Sequence, residues 1–424
     1  MVMTNDADFI ATNYARLDTR RALEEMLYLC YFTPMGTLFS DVEAWGATLF
    51  LIGAPGIGKS AIARSFMQRV MRDGQPDGFM SSEPGSLGEA GLGVTPVAAN
   101  VDGQEVITFP PAYSFVKLSK RPGLFFFDEV TTLRGMQQDA ALTLVQQGKV
   151  GDFYMAPHVR RFAAGNPTDQ VNGEELKPAL CNRMCWVQWG GTSHDDFRDY
   201  LAGNISDLGT IDAVKVERRV LEKWNDAWLQ STATHLGFLA AQPQYKHLVP
   251  QGYATAGPWP SDRSNEAAIR LMAAASILDV SNEVREAALT GCIGAAAAQA
   301  YELFQTSVEL PNLIDLLEGR CTWTYDVRRP DIALSILEGI TVYLQRTPVA
   351  QREKALGITR RVFELCAGVR QNAPDIMRPF HQAVYRYGVV EGRRTCEPLM
   401  TDKAVEAELR LFGSLLRGMA GAGA

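Results

Sequence analysis

GAPGIGKS, residues Gly53 to Ser60, lies between the apolar run ATLFLI and the stretch AIARSFMQRVM, which has helix-forming composition. A strand, a glycine-rich loop and a helix in this order are the context in which the pattern G-x-x-x-x-G-K-S binds phosphate. Glycines let backbone N–H groups point at phosphate oxygens, and the helix that follows presents its positive end to the same anion. The stretch therefore predicts a phosphate-binding loop at the edge of a parallel α/β sheet.

The loop also predicts a role for its own residues. Lys59 is expected to reach the β- and γ-phosphates of a nucleotide, and Ser60 is expected to ligate Mg²⁺. Because the sequence contains no N-K-x-D pattern that recognises guanine, the predicted nucleotide is ATP. The predicted nucleotide-contacting residues are Gly53, Ala54, Pro55, Gly56, Ile57, Gly58, Lys59, Ser60 and Ala61.

The stretch GLFFFDEV, Gly123 to Val130, places two carboxylates directly after three phenylalanines. A buried strand next to the phosphate loop delivers Asp128 at its carboxyl end, where it binds Mg²⁺ directly or through water. Glu129 is then expected to polarise the water that attacks the γ-phosphate, a step that depends on positioning and electrostatics. An isolated Asp-Glu pair at a strand end is more often a helix cap, but beside a glycine-rich loop the catalytic interpretation is favoured.

Two later positions extend the predicted site. RRFAAGNP ends a third strand with Asn166, a neutral side chain able to orient the attacking water, although an Asn before a Pro is also a common turn signal. In ELKPALCNRMCWVQW, Arg183 lies between a short helix and the next strand. Such an arginine is often a plain surface residue, but in a ring of subunits it could enter the neighbour's site and raise the rate by about 10³ to 10⁵.

Four runs predict the strands of the sheet: ATLFLIG, GLFFFDEV, RRFAAGN and CWVQW. Two further segments are predicted to be hairpins, with ordinary surface loops as the alternative. In the first, Asp102-Gly103 forms the turn, and Val101, Val106 and Phe109 are available to face a core. In the second, Met155-Ala156-Pro157 separates Val150 to Tyr154 from the strand that ends at Asn166.

After Gly190 the strand signal fades and helix-forming segments such as VERRVLEKWNDAWL and SNEAAIRLMAAASILDV dominate. Past Leu310 another helical block begins, with Arg329-Pro330-Asp331 as a helix start. The chain is thus predicted to contain an N-terminal helical segment at 1–46, an α/β nucleotide-binding core at 47–190, and helical regions at 191–310 and 311–424.

Composition narrows the class of protein. Apolar residues make up 46% and charged residues 21% of the chain, as in soluble globular proteins. The net charge of −7 weighs against nucleic-acid binding, although Lys117, Lys120 and Arg121 form a local basic cluster, with a solvated helix face as the simpler interpretation. The sequence shows no membrane-spanning stretch or signal pattern, and its seven cysteines include no CxxC pair, so a cytoplasmic protein with reduced thiols is expected.

In their order and spacing these motifs resemble those of the AAA+ ATPases, and within them the MoxR-like group. The resemblance runs from Gly53 to about Arg270, with GAPGIGKS similar to Walker A, GLFFFDEV to Walker B and AAGNP to the sensor 1 strand. ELKPALCNRM looks like the family's arginine-finger stretch, and WPSDRSNEAAIRL, in which Arg263 opens a helix, is similar to the sensor 2 motif of the lid. Two positions depart from the family pattern: Asn182-Arg183-Met184 stands where Asp-Arg-Phe is usual, and Asp262 where Pro is usual.

The resemblance implies a P-loop AAA+ parallel sheet core with β-hairpin insertions, an all-α lid at 191–310 and an additional C-terminal helical region. It further implies a Mg²⁺-dependent ATPase that forms a ring, expected to be a hexamer, and that remodels or activates a protein partner in the manner of a chaperone. The two hairpins would correspond to the family's helix 2 insertion and pre-sensor-1 hairpin, and the partner commonly carries a von Willebrand factor A domain. The catalytic set is expected to be Lys59, Glu129, Asn166, Arg183 and Arg263, with Ser60 and Asp128 as metal ligands.

Two other functions stay open. The first is an ATP-gated, DNA-associated oligomeric module with slow hydrolysis, against which the acidic charge balance weighs. The second is a static scaffold that has lost hydrolysis, against which the complete set of Lys59, Asp128, Glu129 and Asn166 weighs. Neither a nucleic acid nor a membrane is expected as a partner.

Overall fold

The computed structural model describes residues 13–35, 44–83, 95–167, 170, 175–203, 208–249, 257–390 and 392–422. The chain divides into two compact units. The first comprises Met1–Gly36, Val42–Trp224 and Tyr245–Ala300, and the second comprises Thr37–Asp41, Asn225–Gln244 and Tyr301–Ala424. The predicted boundaries after residues 46, 190 and 310 stay predictions.

The first unit is built on a six-stranded sheet in which every neighbouring pair is parallel. The strands are β1 (Arg16–Leu17), β2 (Leu49–Ile52), β3 (Gly78–Ser82), β4 (Gly123–Phe127), β5 (Val159–Gly165) and β6 (Cys185–Trp189). Across the sheet they lie in the order β1-β6-β2-β5-β4-β3. This parallel sheet with helices around it confirms the predicted α/β fold class.

All four predicted strands are present, and two strands are additional. Strand β1 has only two residues, and β3 has the sequence GFMSS, which lacks a continuous apolar run. Both lie at the edges of the sheet, where a strand is held by its backbone bonds to one neighbour. An edge position therefore places weak demands on the sequence, and no hydrophobic pattern marked these two strands.

Strand β4, which has a neighbour on each side, shows why the phenylalanine run lies inside the protein. Phe125 packs on Phe115 with ring centroids 5.1 Å apart, whereas Phe126 points to the other face and lies 6.5 Å from Phe79. None of the three phenylalanines of β4 is more than 1% exposed. Burial of such side chains on both faces contributes about 1.5–3 kcal/mol each and fixes the strand that precedes Asp128.

The first predicted hairpin is confirmed. Val97–Val101 pairs antiparallel with Gln104–Thr108, and Asp102 and Gly103 both have positive φ angles, 52° and 82°, as a type I′ turn requires. The expectation that it faces a core is wrong: Ile107 is 67% exposed, while Val106 and Phe109 are only half-buried, because the two strands pair with each other alone. The side chain of Val101 lies outside the described residues.

The second predicted hairpin exists, but its turn was misplaced. Lys149–Val150 pairs antiparallel with Phe153–Tyr154, so Gly151 and Asp152 form the turn rather than Met155-Ala156-Pro157. Gly151 has a φ of 60°, which suits a glycine, and Asp152 exchanges hydrogen bonds with the backbone of Phe109 at 2.8 and 2.9 Å. Met155 is instead buried at 4% exposure, where it packs with the core of this unit.

Helices surround the sheet of the first unit. Two helices before residue 308, Ala213–Ala241 and Ala295–Ser307, have residues in both units, since the second unit includes Asn225–Gln244 and Tyr301–Ala424. The helical region predicted after Gly190 is confirmed, apart from a two-residue strand, Ile211–Asp212, that pairs with Val70–Arg72. The helices up to residue 307 are α1 (Arg20–Tyr31), α2 (Lys59–Arg69), α3 (Tyr113–Leu118), α4 (Met136–Gln147), α5 (Pro178–Cys181), α6 (His194–Leu201), α7 (Ala213–Ala241), α8 (Asp262–Leu278), α9 (Asn282–Ile293) and α10 (Ala295–Ser307).

The second unit is helical and has its own core. Helix α12 starts with Pro330 at its first position, as predicted from Arg329-Pro330-Asp331, and buries Ile336, Ile340 and Leu344. Within the described ranges, no helix of either unit is long and apolar enough to cross a membrane. The further helices are α11 (Leu313–Leu317), α12 (Pro330–Arg346), α13 (Arg352–Leu365), α14 (Ala367–Asn372), α15 (Arg378–Arg386) and α16 (Lys403–Ala422).

A buried ion network fixes α7 to the sheet of the first unit. Glu217 of α7 accepts hydrogen bonds from Arg72 at 2.7 Å and from Arg160 of β5 at 2.6 Å. Arg72 also bonds Asp77 at 3.0 Å, and Arg160 is only 1% exposed. Burial alone would raise the pKa of Glu217, but hydrogen bonds and charges from the two arginines hold it below its usual value. Glu217 thus pairs with both guanidinium groups, and Asp77 shares the charge of Arg72.

We expect Glu217→Ala to lower the free energy of unfolding of the first unit by about 3–5 kcal/mol, because it leaves the buried Arg160 without this carboxylate and Arg72 with Asp77 alone. Urea unfolding of the full chain, followed by tryptophan fluorescence, measures this loss. Glu222→Ala, an exposed change on the same helix, is the control and should cost less than about 0.5 kcal/mol.

Since the folded-state pKa of Glu217 is depressed, the stabilisation by Glu217 is present above the usual pKa of 4.5 and is lost as pH falls below it. Equal stability of the two variants at neutral pH would contradict this account.

Candidate functional site

The predicted phosphate loop and the predicted site residues of the acidic pair and Asn166 lie together where the strands of the parallel sheet have their carboxyl ends. The loop Gly53 to Gly58 follows β2, Asp128 follows β4 and Asn166 follows β5. Strand β5 lies between β2 and β4, so the phosphate loop and the acidic pair belong to strands that are not neighbours. Two side chains at the start of α2, Lys59 and Ser60, bridge this gap to Asn166 and Asp128 respectively.

The loop has the shape of a phosphate cradle. Gly56 and Gly58 have φ angles of 78° and 89°, and a Cβ atom built on either would meet nothing within 4 Å. The backbone therefore turns through the left-handed region around open space, and α2 starts directly afterwards at Lys59. Free N–H groups of the first helical turn and the positive end of the helix dipole favour an anion there. The loop thus fits the phosphate groups of a nucleotide.

Lys59 is buried, with 7% of its surface exposed, yet all three ammonium hydrogens have acceptors. Its Nζ donates to the carbonyl oxygens of Gly53 at 2.8 Å and Ala54 at 3.0 Å, and to Oδ1 of Asn166 at 2.7 Å. Burial lowers the pKa of Lys59, and the nearby charges of Asp128 and Glu129 oppose that shift. To contact a phosphate, the ammonium must exchange at least one of these acceptors for a phosphate oxygen.

The acidic pair is oriented by its own backbone. Asp128 accepts a hydrogen bond from Oγ of Ser60 on one carboxylate oxygen and from the N–H of Glu129, at 2.9 Å, on the other. Glu129 has a φ of 55°, a conformation that costs a non-glycine residue about 1–3 kcal/mol and persists only where the surrounding structure holds it. Its pKa is raised by burial and by the charges of Glu83 and Asp128, while Lys59 opposes the shift. A carboxylate with a raised pKa is a better proton acceptor near neutral pH.

Asn166 is tied to the segment that carries the acids. Its backbone N–H donates to Oγ1 of Thr131 at 3.1 Å, and Thr131 belongs to the single turn Val130–Thr132 that follows Glu129. A Cβ on Gly165 would lie 2.7 Å from the Thr131 methyl group, so only glycine allows this close approach. The ends of β4 and β5 are therefore packed as one rigid group around Lys59.

A second feature of the site was not predicted from the sequence. A cavity of 330 Å³ opens beside the phosphate loop and is closed by aromatic side chains of α6. Phe197 and Tyr200 of α6 stack with centroids 6.5 Å apart and are each about half-exposed. Its volume suits a small-molecule site, and its apolar wall is adjacent to the loop that would hold the phosphates. It is lined by Arg20, Gly56, Ile57, Gly58, Ala61, Ile62, Ser65, Thr192, Asp196, Phe197 and Tyr200.

Trp189, the last residue of β6, also contacts the phosphate loop, and this contact was not predicted from the sequence. Its indole Nε1–H donates to the carbonyl oxygen of Ile57 at 3.1 Å, while the ring is only 2% exposed. A Cβ on Gly53 would lie 2.7 Å from the Trp189 carbonyl oxygen, so the loop also starts in close contact with this strand. The run CWVQW signalled a strand, but only the sheet order shows that its end adjoins the loop.

Arg183 and Arg263 lie at the opposite end of the strands from the phosphate loop, near the amino ends of β2 and β6. Both line a cavity of 540 Å³ together with Thr48 and Cys185, which stand at the amino ends of β2 and β6. Five residue steps of extended chain, about 16 Å, separate Thr48 from Gly53. An arginine side chain cannot span this distance, so neither guanidinium group reaches the phosphate loop of its own chain.

Within that cavity the two arginines influence each other. Arg183 donates from Nε to the amide oxygen of Gln146 at 2.7 Å and from Nη1 to the carbonyl oxygen of Ala179. Burial and the positive charge of Arg263 lower the pKa of Arg183. Arg263 is the second residue of α8, exposed, directly after the Ser261 N-cap. Arg161 and Arg270 and the acids Asp262 and Glu266 also line this cavity, so four positive and two negative side chains face it.

Comparison with known proteins adds little to this geometry. No protein-family model and no curated protein matches the chain. A solved structure of a candidate ATPase from Cytophaga hutchinsonii is 15% identical in sequence and superposes with a TM-score of 0.40. The match covers 68% of this chain and 88% of the other one. A superposition of this quality bears on neither function nor family membership, so the site must be interpreted from its own residues.

We expect Trp189→Phe to raise the dissociation constant for nucleotide about fivefold, because the loop loses one hydrogen bond worth about 1 kcal/mol. Calorimetric titration of ADP into the full-length protein measures the change. Trp186→Phe is the matched control, since the Trp186 indole N–H donates to Cys181 rather than to the loop. Identical affinities for both variants would show that the Ile57 carbonyl does not need this anchor.

Proposed function

We propose that the protein is a Mg²⁺-dependent ATPase that hydrolyses ATP to ADP and phosphate. The observation that supports this most directly is the convergence of Lys59, Ser60, Asp128, Glu129 and Asn166 at one sheet edge, beside the open glycine-rich loop. The adjacent 330 Å³ cavity is the proposed site of the base and ribose. Nucleotide phosphates are the ligand class that this combination of backbone N–H groups, ammonium and acids fits.

Each side chain has a proposed task. Lys59 neutralises the β- and γ-phosphates of ATP, after release from at least one of its present acceptors. Glu129 accepts the proton of the attacking water, for which its raised pKa suits it. Asn166 holds that water in line with the γ-phosphate from the side opposite to the leaving group.

The oxygens of Ser60 and Asp128 fit a divalent metal. Oγ of Ser60 and one carboxylate oxygen of Asp128 are already in contact, and hard oxygen ligands of this kind suit Mg²⁺. When bound there, Mg²⁺ would neutralise charge that develops on the phosphate oxygens. The second Asp128 oxygen accepts the Glu129 N–H, so the same carboxylate would orient both the ligand set and the base.

Arg183 and Arg263 support an assembly of several copies. They lie about one strand length from the phosphate loop of their own chain, in a cavity that four positive and two negative side chains face. We propose that both act on ATP held by the next copy, where a guanidinium group completes the site. This arrangement agrees with a ring of the MoxR-like AAA+ type, and the resemblance suggests a hexamer.

The purpose of hydrolysis is proposed from the same resemblance. A MoxR-like ring would remodel or activate a protein partner, with a von Willebrand factor A domain protein as the candidate. The hairpins offer exposed apolar side chains for such a client, among them Ile107 at 67% and Tyr154 at 58% exposure.

Glu129→Gln tests the catalytic assignment. The amide cannot accept a proton, so hydrolysis should fall by about 10²-fold or more while ATP binding persists. Steady-state phosphate release and calorimetric binding separate the two effects. Glu83→Gln is the matched control: hydrolysis should continue, and the acid limb of the rate profile should move to lower pH because one charge that raises the Glu129 pKa is gone. Normal turnover of Glu129→Gln would remove this residue from its role.

Arg183→Ala tests the role of the neighbouring copy. Hydrolysis should fall by about 10³-fold or more, whereas affinity for ATP should stay close to that of the unmodified protein. Added to the unmodified protein, the variant should lower its activity by more than dilution predicts, because mixed rings contain incomplete sites. Arg263→Ala should behave in the same way. Activity that follows simple dilution would argue against a shared site.

A further inference from the structure

Three thiols from separate elements lie near the amino end of β6. Cys185 is the first residue of β6, Cys30 lies in α1 and Cys292 lies in α9. The Cys185 thiol donates to the Ala288 carbonyl oxygen at 3.5 Å, and the thiols of Cys30 and Cys292 are its neighbours. All three cysteines are free and buried. The proposed ATPase mechanism uses none of them.

Close backbone packing holds Cys185 and Cys292 together. A Cβ on Gly291 would lie 2.4 Å from the Trp186 carbonyl oxygen and 2.9 Å from the Cys185 sulfur. Only a glycine lets α9 approach the start of β6 this closely, and Cys292 is the next residue. The packing of the helix on the strand therefore places Cys292 beside Cys185.

Cys185 and Cys292 are also the two members that a small solute can reach. Both line the 540 Å³ cavity that contains Arg183 and Arg263, whereas Cys30 does not line it and has no exposed surface. Hydrogen bonds from Cys292 and Cys30 lower the pKa of Cys185. The guanidinium groups of Arg183 and Arg263 line the same cavity, and nearby positive charge favours the thiolate form of a cysteine.

We propose that Cys185 and Cys292 are a peroxide-oxidised dithiol pair that closes to a disulfide. The Cys185 thiolate attacks one peroxide oxygen, the O–O bond breaks, and hydroxide leaves and takes a proton to become water. The Cys292 thiol then attacks the resulting sulfenic sulfur, an S–S bond forms, and the S–O bond breaks with loss of a second water. Two thiols lose two hydrogens and two electrons, and one peroxide is reduced to two waters.

The disulfide has a consequence for turnover that rests on the proposed ATPase function. To form the bond, the two neighbouring sulfurs must approach to about 2.05 Å, which draws the start of β6 towards α9. Arg183 is only two residues before Cys185. Because misplacement of a catalytic group by about 1 Å costs up to about 10²-fold, the oxidised protein should lose about tenfold or more of its ATPase rate.

Peptide mapping of the full-length protein tests the pair directly. The protein is treated with hydrogen peroxide, its remaining thiols are alkylated, and the digest is analysed by mass spectrometry with and without dithiothreitol. We expect a Cys185–Cys292 cross-link that dithiothreitol reverses. Free thiols at both positions after peroxide treatment, a Cys30–Cys185 cross-link instead, or a stoichiometric soft metal on the trio in the purified protein would each overturn the proposal.

Cys292→Ala tests whether the disulfide causes the loss of ATPase activity. It should keep the basal ATPase rate and lose both the cross-link and the inhibition by peroxide. Cys396→Ala, a half-buried cysteine of the second unit, is the control and should retain both. Inhibition that persists in Cys292→Ala would overturn the link between the disulfide and turnover. Should the unmodified protein lack ATPase activity, the cross-link would still decide the dithiol proposal, and the proposed function alone would fail.

Discussion

The buried ammonium of Lys59 is the interaction on which the site depends. A charge removed from water costs several kcal/mol unless its hydrogens find acceptors, and here the Gly53 and Ala54 carbonyls and the Asn166 amide supply all three. These acceptors come from the end of β2 and the end of β5, so one cation joins two neighbouring strands at their carboxyl ends. Ser60, the next residue, joins the third strand through Asp128. The first turn of α2 therefore sets the geometry of the loop, the acids and Asn166 together.

Different functional groups lie at the two ends of the parallel strands. At the carboxyl edge stand an anion cradle and two acids, and at the amino edge stand Arg183 and Arg263 in a cavity of their own. A strand of four residues is long enough to keep these groups apart within one chain, because extended chain rises about 3.3 Å per residue. The parallel sheet thus keeps these two groups of side chains apart within one chain, and in the proposed assembly a neighbouring copy would bring them together. The thiols of Cys185 and Cys292 lie at the edge where the guanidinium groups are positioned.

Sequence patterns predicted what is local and missed what depends on distant contacts. The loop, the acidic pair and four strands each follow from a few consecutive residues, and the structure contains all of them. The sheet order is non-local, so the cavity lined by Phe197 and Tyr200 and the bond from Trp189 to Ile57 had no local signal. The misplaced hairpin turn has a different cause: Pro157 is a strong turn signal, but Gly151 supplies the positive φ that the two-residue turn needs.

The backbone at Glu129 shows how the fold maintains a conformation that its residue type disfavours. A glycine would adopt a φ of 55° without strain but would carry no carboxylate. The peptide groups on both sides of Glu129 are held instead: its N–H donates to Asp128, and its carbonyl accepts from Oγ1 of Thr132 at 2.8 Å. Thr131 lies between these anchors and receives the backbone N–H of Asn166. Hydrogen bonds from three directions thus offset the strain of about 1–3 kcal/mol, and they orient the carboxylate by the same contacts that fix Asn166.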